Sequence, residues 1–176
     1  MPISMSQGIN MEFKKVIEKR RSIRKYKDTP VSRDNIMVIL EAARIAPSAS
    51  HRQPWHFIVV EDAEAIKKLA KQEWAATSPA MIVGLADQAA SPNWCINDLG
   101  VAFEHMVLAA TDLGLGTCWM GQSNREALVS ELLGVPDNFK VVALMTLGEA
   151  DEMPSPKERK SLDDIVSWEK YGAKAQ

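Results

Sequence analysis

The sequence predicts a layered domain in which helices and strands alternate along the chain. Apolar residues recur at helical spacing in several segments, and short runs of β-branched and aromatic residues separate these segments. No linker, internal repeat or low-complexity tract divides the 176 residues, so we expect one domain over residues 1–176. Alternation by itself favours a doubly wound parallel sheet, although periodicity does not fix the direction of any strand.

The first half of the chain predicts three helices and two strands. Ser32 and Asp62 precede apolar stripes of helical period and are typical N-cap residues. Two runs of apolar residues are long enough for buried strands but too short for core helices. The predicted helices cover 11–19, the segment from Ser32 to just before Pro47, and the segment after Asp62; the predicted strands cover 55–60 and 80–86.

The second half predicts one long helix, two shorter helical segments and two strands. Gly114 is expected just beyond the end of the long helix, where a left-handed backbone is common. Ser123 and Ser161 each begin a segment with the spacing of a capping box. The predicted helices cover 96–113, 124–133 and a turn after Ser161; the predicted strands cover 117–120 and 140–147. We expect the tail over 150–176 to pack on a second subunit.

Composition excludes several classes of function. The net charge of −2 favours no nucleic-acid partner, and no apolar run is long enough to cross a bilayer. Residues 1–10 lack the pattern of a signal peptide and are interpreted as a leader of unknown role. Cys95 and Cys118 are the only cysteines and form no zinc motif, so we expect free thiols, no metal and a cytoplasmic location.

Two basic groups lie near opposite ends of the chain. The first contains Arg20, Arg21, Ser22 and Arg24, and the second lies at 157–160. Guanidinium groups offer planar pairs of donors that match phosphate oxygens. The two groups therefore either converge on one phosphate ligand or form separate solvated surfaces.

A polar loop between a helix and a strand is the second candidate for ligand binding. Pro47 and Pro54 enclose six small or polar residues. Prolines stiffen the backbone, small residues leave its donors and acceptors open, and Gln53 can both donate and accept. The loop suits a flat heteroaromatic ligand, but an ordinary rigid connection would have the same composition.

Four segments in order resemble the nitroreductase family of FMN-dependent oxidoreductases. They are RRSIRKY at 20–26, APS at 46–48 with QPW at 53–55, GLGTCWMG at 114–121 and KERKSL at 157–162. The resemblance implies an α+β fold of three α/β/α layers, with a mostly antiparallel central sheet. It also implies an intertwined homodimer with flavin sites at the subunit interface.

The resemblance further implies roles for individual residues. Arg20 and Arg21 would bind the FMN phosphate with Lys157 and Arg159, and Ser22 would bind the phosphate or the ribityl chain. Arg24 would lie at the pyrimidine edge of the ring, for which Gln72 is a weaker candidate. The residues expected at the flavin of the other subunit are Pro47, Ser48, Ala49 and Ser50. Gln53 would contact the ring or the ribityl chain. The backbone of Trp119, Met120 and Gly121 would face the flavin, with the Met120 N–H near N5.

The family's reaction passes hydride from NADH or NADPH to flavin N5 and then to small electron-poor acceptors, such as nitroaromatics or quinones, in a ping-pong scheme. No side chain is then needed as a catalytic group. Reductive dehalogenation, other flavin chemistry, or a non-catalytic carrier or sensor are alternatives.

His51 stands where family members often have Asn, and its role is open. A helical insertion of larger members is missing, so the pocket is either open or covered by Trp94 and Trp119.

Overall fold

The computed structural model describes residues 11–121 and 124–174, whose strands form one sheet. The strands are β1 Trp55–Val60, β2 Ala80–Asp87, β3 Leu115–Gly121 and β4 Phe139–Glu149. They lie in the order β1-β2-β4-β3, and every neighbouring pair is antiparallel. The parallel sheet that alternation favours is therefore wrong, and the antiparallel sheet implied by the resemblance is confirmed.

Six helices in the described ranges match the predicted helical segments. They are α1 Phe13–Lys19, α2 Arg33–Arg44, α3 Ala63–Leu69, α4 Cys95–Asp112, α5 Glu126–Leu133 and α6 Leu162–Ile165. Two short 3-10 turns, at Ala49–His51 and Glu73–Thr77, were not predicted. Local sequence gives little signal for such turns, because they carry too few residues to show a period.

Most of the predicted helix ends are confirmed. Ser32 and Asp62 accept backbone N–H groups three residues ahead, and Ser161 forms a reciprocal capping box. Gly114 has a φ of 75°, the left-handed backbone expected beyond α4. The start of α5 differs, since Arg125 is its N-cap residue and gives no side-chain cap. The predicted cap Ser123 lies outside the described residues.

The sheet separates two apolar layers, because successive strand residues face opposite sides. On β2, Ile82 and Ala86 face the layer that contains α2 and α4. Met81, Val83 and Leu85 face the layer that contains α3 and α5. The three-layer arrangement is thereby confirmed.

Helix α4 crosses the centre of one layer and contacts β1, β2 and β3. Its Phe103 is fully buried, and a Cβ atom on Gly84 would come within 2.2 Å of that ring. Glycine at this position therefore lets α4 lie close to the sheet. None of the helices in the described ranges is long and apolar enough to span a membrane.

Candidate functional site: an anion pocket between the two ends of the chain

Backbone hydrogen bonds bring the first basic group to the end of the sheet. The Ile23 N–H donates to the Thr117 carbonyl of β3 at 2.8 Å, and the Lys27 N–H donates to the Glu149 carbonyl at the end of β4 at 2.9 Å. The Asp151 N–H donates back to the Lys25 carbonyl at 2.9 Å. Residues 22–27 thus form a backbone frame that joins the edge strand to the beginning of the tail.

The buried Tyr26 side chain stabilises this frame. Its buried hydroxyl donates to the Ile23 carbonyl at 2.6 Å and lies 2.6 Å from the Thr146 hydroxyl. Burial raises the pKa of Tyr26 well above its usual range, so the hydroxyl stays neutral. Two exposed ion pairs, Lys25 with Asp151 and Lys27 with Glu149, join the same two segments at the surface.

The frame turns the tail back over the end of α1 and closes a pocket of about 300 Å³. We call it the anion pocket. Both basic groups line it, so the structure brings together the residues predicted for the phosphate. The lining residues are Ile17, Glu18, Arg20, Arg21, Ser22, Arg24, Pro154, Ser155, Pro156, Lys157 and Arg159.

The positively charged side chains of the pocket differ in their ion-pair and hydrogen-bond partners. Within the described ranges, Arg20, Lys157 and Arg159 form no ion pair with a carboxylate. Arg21 uses its Nη1 to donate to the carbonyls of Glu18 and Arg20, both at 2.7 Å, while its buried Nε has no partner among these residues. Arg21 therefore closes the C-terminal end of α1 as well as lining the pocket, a role that the sequence did not indicate.

Arg24 lies against an aromatic ring that the sequence analysis overlooked. Its guanidinium carbon is 5.6 Å from the centre of the Trp74 ring, within cation–π range. Its backbone N–H donates to the Glu152 carboxylate. Trp74 stands two residues beyond Gln72, on the second 3-10 turn. The sequence signal that could have identified Trp74 was its position close to Gln72, the weaker candidate for the pyrimidine edge. Gln72 itself is exposed and does not line the anion pocket.

The loop over residues 47–53, here called the polar loop, has a left-handed backbone at three non-glycine residues. The φ angles are 52° at Ser50, 56° at His51 and 49° at Gln53. The Gln53 N–H donates to the Ser48 hydroxyl at 2.9 Å, which holds the loop in this shape. The His51 Nε2 lies 3.2 Å from the Gln53 amide nitrogen.

One buried carboxylate ties the polar loop to α4. The Ala49 N–H donates to Oδ1 of Asp98 at 3.0 Å. Asp98 is only 6% exposed, and its Oδ2 has no partner in the part of the chain that the structure describes. The sequence analysis did not identify this contact. The available signal was a carboxylate one position before Leu99, on the apolar side of the helix.

The structure does not bring the polar loop to the anion pocket of the same chain. Pro47, Ser48, Ala49, Ser50 and Gln53 are all absent from the pocket lining. Their predicted position at the flavin of another subunit stays a prediction.

The end of β3 also lies outside the pocket lining, at the edge of the sheet. The Trp119 ring centre is 5.2 Å from that of Phe103, and the Trp119 side chain covers Gly100 of α4. Met120 packs in the opposite layer, and Gly121 is exposed. Trp94 and Trp119 both remain about half exposed, at 54% and 42%. Both alternatives, an open pocket and one covered by these two side chains, therefore stand, and the contact of the Met120 N–H with N5 stays a prediction.

Comparisons with known proteins agree with this fold. The nitroreductase family model matches residues 17–80 and 66–149. A protein of Archaeoglobus fulgidus, named as a candidate NADH dehydrogenase/NAD(P)H nitroreductase, is 41% identical over 147 residues, covering 78% of this chain and 84% of its own.

Two solved structures have the same fold. An FMN-dependent nitroreductase from Clostridium difficile has 32% identity and a TM-score of 0.78, covering 89% of this chain and 98% of that one. The NADPH:FMN oxidoreductase from Vibrio harveyi, solved with NAD+, has 27% identity and a TM-score of 0.85, covering 93% and 79%. The family model spans well over half of the sequence, and the chain therefore belongs to the nitroreductase family.

Proposed function

We propose that this protein binds FMN through the anion pocket and transfers hydride from NADH or NADPH to small electron-poor acceptors such as nitroaromatics or quinones. The observation that carries the proposal is the convergence of both basic groups on one pocket. The Vibrio harveyi relative is named for NADPH and FMN, and the Clostridium difficile relative for FMN.

The donor set of the anion pocket fits a phosphate monoester. Arg20, Lys157 and Arg159 bring three positive charges to one cavity, and Ser22 adds a hydroxyl. Among the described residues that line the pocket, Glu18 alone is acidic, and Lys14 lies 3.8 Å from its carboxylate. A dianion would relieve the repulsion among the cations, which is why we assign these four residues to the phosphate.

FMN, when bound, supplies a two-electron carrier whose N5 accepts and donates hydride. The chain's own contribution is binding, orientation and charge. Arg24 lines the pocket and can place a positive charge where negative charge develops on the ring. We assign no nucleophile or general acid among the side chains, and we propose the ping-pong order in which donor and acceptor use one position in turn.

We further propose that the functional unit is a homodimer with flavin sites at the subunit interface. The polar loop is separate from the anion pocket in one chain, so a second chain would supply it. The tail supports this proposal, because Leu162, Ile165 and Trp168 expose 55% to 74% of their surface. The two free, buried thiols support the proposed cytoplasmic location.

The phosphate assignment is tested by the double variant Arg20→Ala/Arg159→Ala. Each change removes a charge-assisted hydrogen bond worth roughly 1.5 kcal/mol at the lower end of the usual range, so FMN affinity should fall by about 100-fold. Fluorescence titration of the flavin-free protein with FMN measures this loss.

The matched control is Arg33→Ala/Lys68→Ala, which removes two exposed positive charges outside the anion pocket. We expect its FMN affinity to stay near that of the unchanged protein. An Arg20→Ala/Arg159→Ala protein that bound FMN with unchanged affinity would contradict the assignment.

A panel of acceptors tests the reaction. We expect oxidation of NADH or NADPH with nitroaromatics and quinones, and parallel lines in double-reciprocal plots, as a ping-pong order requires. Release of halide from halogenated phenols without nitro reduction would instead indicate a dehalogenase. Slow turnover with every acceptor, despite tight FMN binding, would indicate a carrier or sensor.

A further inference from the structure

We propose that Trp74 is a positioning residue that holds the Arg24 guanidinium at the anion pocket and thereby raises the reduction potential of bound FMN. The inference rests on the proposed function, because it needs FMN in that pocket. It concerns a residue outside the four segments that resemble the family, on a turn that local sequence did not predict.

The backbone of Arg24 is fixed, whereas its side chain has few restraints. The N–H groups of Arg24 and Lys25 both donate to one oxygen of the Glu152 carboxylate. The Arg24 guanidinium has neither a hydrogen bond nor an ion pair with any residue over 11–121 and 124–174. A long, exposed arginine without such contacts would be expected to sample many rotamers. The direction of the Arg24 side chain therefore depends on its remaining contacts.

The Trp74 ring is the contact that selects one direction. The guanidinium carbon lies 5.6 Å from the ring centre, and Trp is the aromatic residue that attracts cations most strongly. The turn that carries Trp74 is itself held in place. The Thr77 hydroxyl donates to the Trp74 carbonyl at 2.8 Å, and Ala75 is completely buried. The ring thus belongs to a half-buried residue on an anchored turn, and the Arg24 side chain lies against it.

The charge of Arg24 reaches the edge strand from this position. Burial raises the pKa of Cys118 on β3, and the nearby Arg24 charge opposes that shift. The end of β3 is also expected to lie near the flavin ring. A cation held on this side stabilises negative charge on the ring, and so favours the reduced form. Without Trp74, the guanidinium would spend more time in bulk water and this effect would weaken.

The main experiment measures the midpoint potential of fully loaded protein for Trp74→Leu, Arg24→Gln and the two together. We expect Arg24→Gln to lower the potential and Trp74→Leu to lower it by a smaller amount. We expect the combined variant to match Arg24→Gln alone, since Trp74 acts through Arg24. Trp74→Phe keeps an aromatic face and should restore most of the shift.

Leu132→Ala is the control for loss of an exposed apolar side chain outside the anion pocket, and should leave the potential unchanged. Shifts of Trp74→Leu and Arg24→Gln that simply add would overturn the inference. So would a potential that moves with Arg24→Gln but not with Trp74→Leu, or one that moves with neither. If these proteins retain FMN, the phosphate assignment stands even when the potentials contradict the role of Trp74. Failure of this inference is therefore distinguishable from failure of the proposed function.

A second measurement needs no variant and no flavin. In the full-length flavin-free protein, nuclear Overhauser contacts between the Arg24 side chain and the Trp74 ring protons should be observed. The Arg24 Nε–Hε signal should also show the ring-current shift of an aromatic face, and Trp74→Leu should remove it. Missing contacts in the unchanged protein would overturn the inference even if Trp74→Leu proved too unstable to load.

Discussion

The anion pocket and the polar loop are held in place in opposite ways. The pocket rests on a frame of backbone hydrogen bonds that continues the sheet from β3 to the tail. The polar loop has a left-handed backbone at three non-glycine residues and is tied to α4 through the carboxylate of Asp98. The pocket therefore keeps the regular geometry of the sheet, while the loop is forced into a shape that its residues do not favour.

This difference indicates what each region contributes. A left-handed non-glycine residue costs about 1 kcal/mol or more, so Ser50, His51 and Gln53 together require compensating contacts. Strained loops of this kind are common where a backbone is presented to a ligand or a partner. The anion pocket needs no such strain, because its cations extend from a frame built by ordinary pairing.

The largest effect is expected from breaking the frame with Gly148→Val. A Cβ atom at this position would lie 2.7 Å from Pro79 and 2.9 Å from the Tyr26 ring, so the Tyr26 contact must shift. We expect a loss of about 1–3 kcal/mol in the free energy of unfolding, together with weaker FMN binding. Chemical denaturation and FMN titration measure the two.

Gly121→Ala is the stability control for this change, because its Cβ atom would meet nothing within 4 Å among the described residues other than its chain neighbours. The contrast between the two regions also predicts that amide exchange in the polar loop stays the same in the Gly148→Val protein. Faster exchange at Ala49 in that protein would show that the polar loop depends on the frame and that the two regions are not held independently.

The next effect is expected in the polar loop, from Asp98→Ala. The change leaves the partly buried Ala49 N–H without its acceptor, which costs roughly 0.5–1.5 kcal/mol. Amide exchange should accelerate at residues 49–53 and remain unchanged at 22–27. Asp98→Asn keeps an oxygen that can accept from Ala49, so its loop should exchange more slowly than that of the alanine variant. Equal exchange in all three proteins would rule out Asp98 as the anchor.

Sequence reasoning worked where the signal is local. Ser32, Asp62 and Ser161 were predicted as caps because each side chain satisfies an N–H only a few residues ahead. Strand β1 was predicted over the residues that form it, since a short apolar run between a proline and an N-cap leaves few alternatives. The two basic groups were recognised as a possible phosphate site from residue type alone.

The rest depends on contacts between distant residues, which periodicity does not contain. The direction of the strands is set by how β4 pairs with both β2 and β3. The contact of Trp74 with Arg24 joins two positions fifty residues apart, and that of Asp98 with Ala49 joins two positions forty-nine apart. The convergence of the basic groups followed from family resemblance, and the backbone frame now gives its physical cause.

The smallest effect is expected from Asp151→Asn, which removes an exposed ion pair along the frame but no backbone hydrogen bond. The Lys25 ammonium, 2.7 Å away, lowers the pKa of Asp151 below its usual value near 3.8. A carboxyl group whose pKa is lower in the folded protein contributes stability above its unfolded pKa. That contribution disappears as the pH falls through the folded value.

The difference in unfolding free energy between the unchanged protein and Asp151→Asn should therefore be small at pH 7, begin to fall near pH 3.8 and vanish below the lowered pKa of Asp151. Denaturation at several pH values measures it, with Glu64→Gln on α3 as the matched control, since Glu64 pairs with Lys67 outside the frame. Similar small effects in both variants would agree with a frame held by backbone hydrogen bonds. A much larger effect in Asp151→Asn would mean that the ion pairs hold the frame, because an exposed pair elsewhere contributes little.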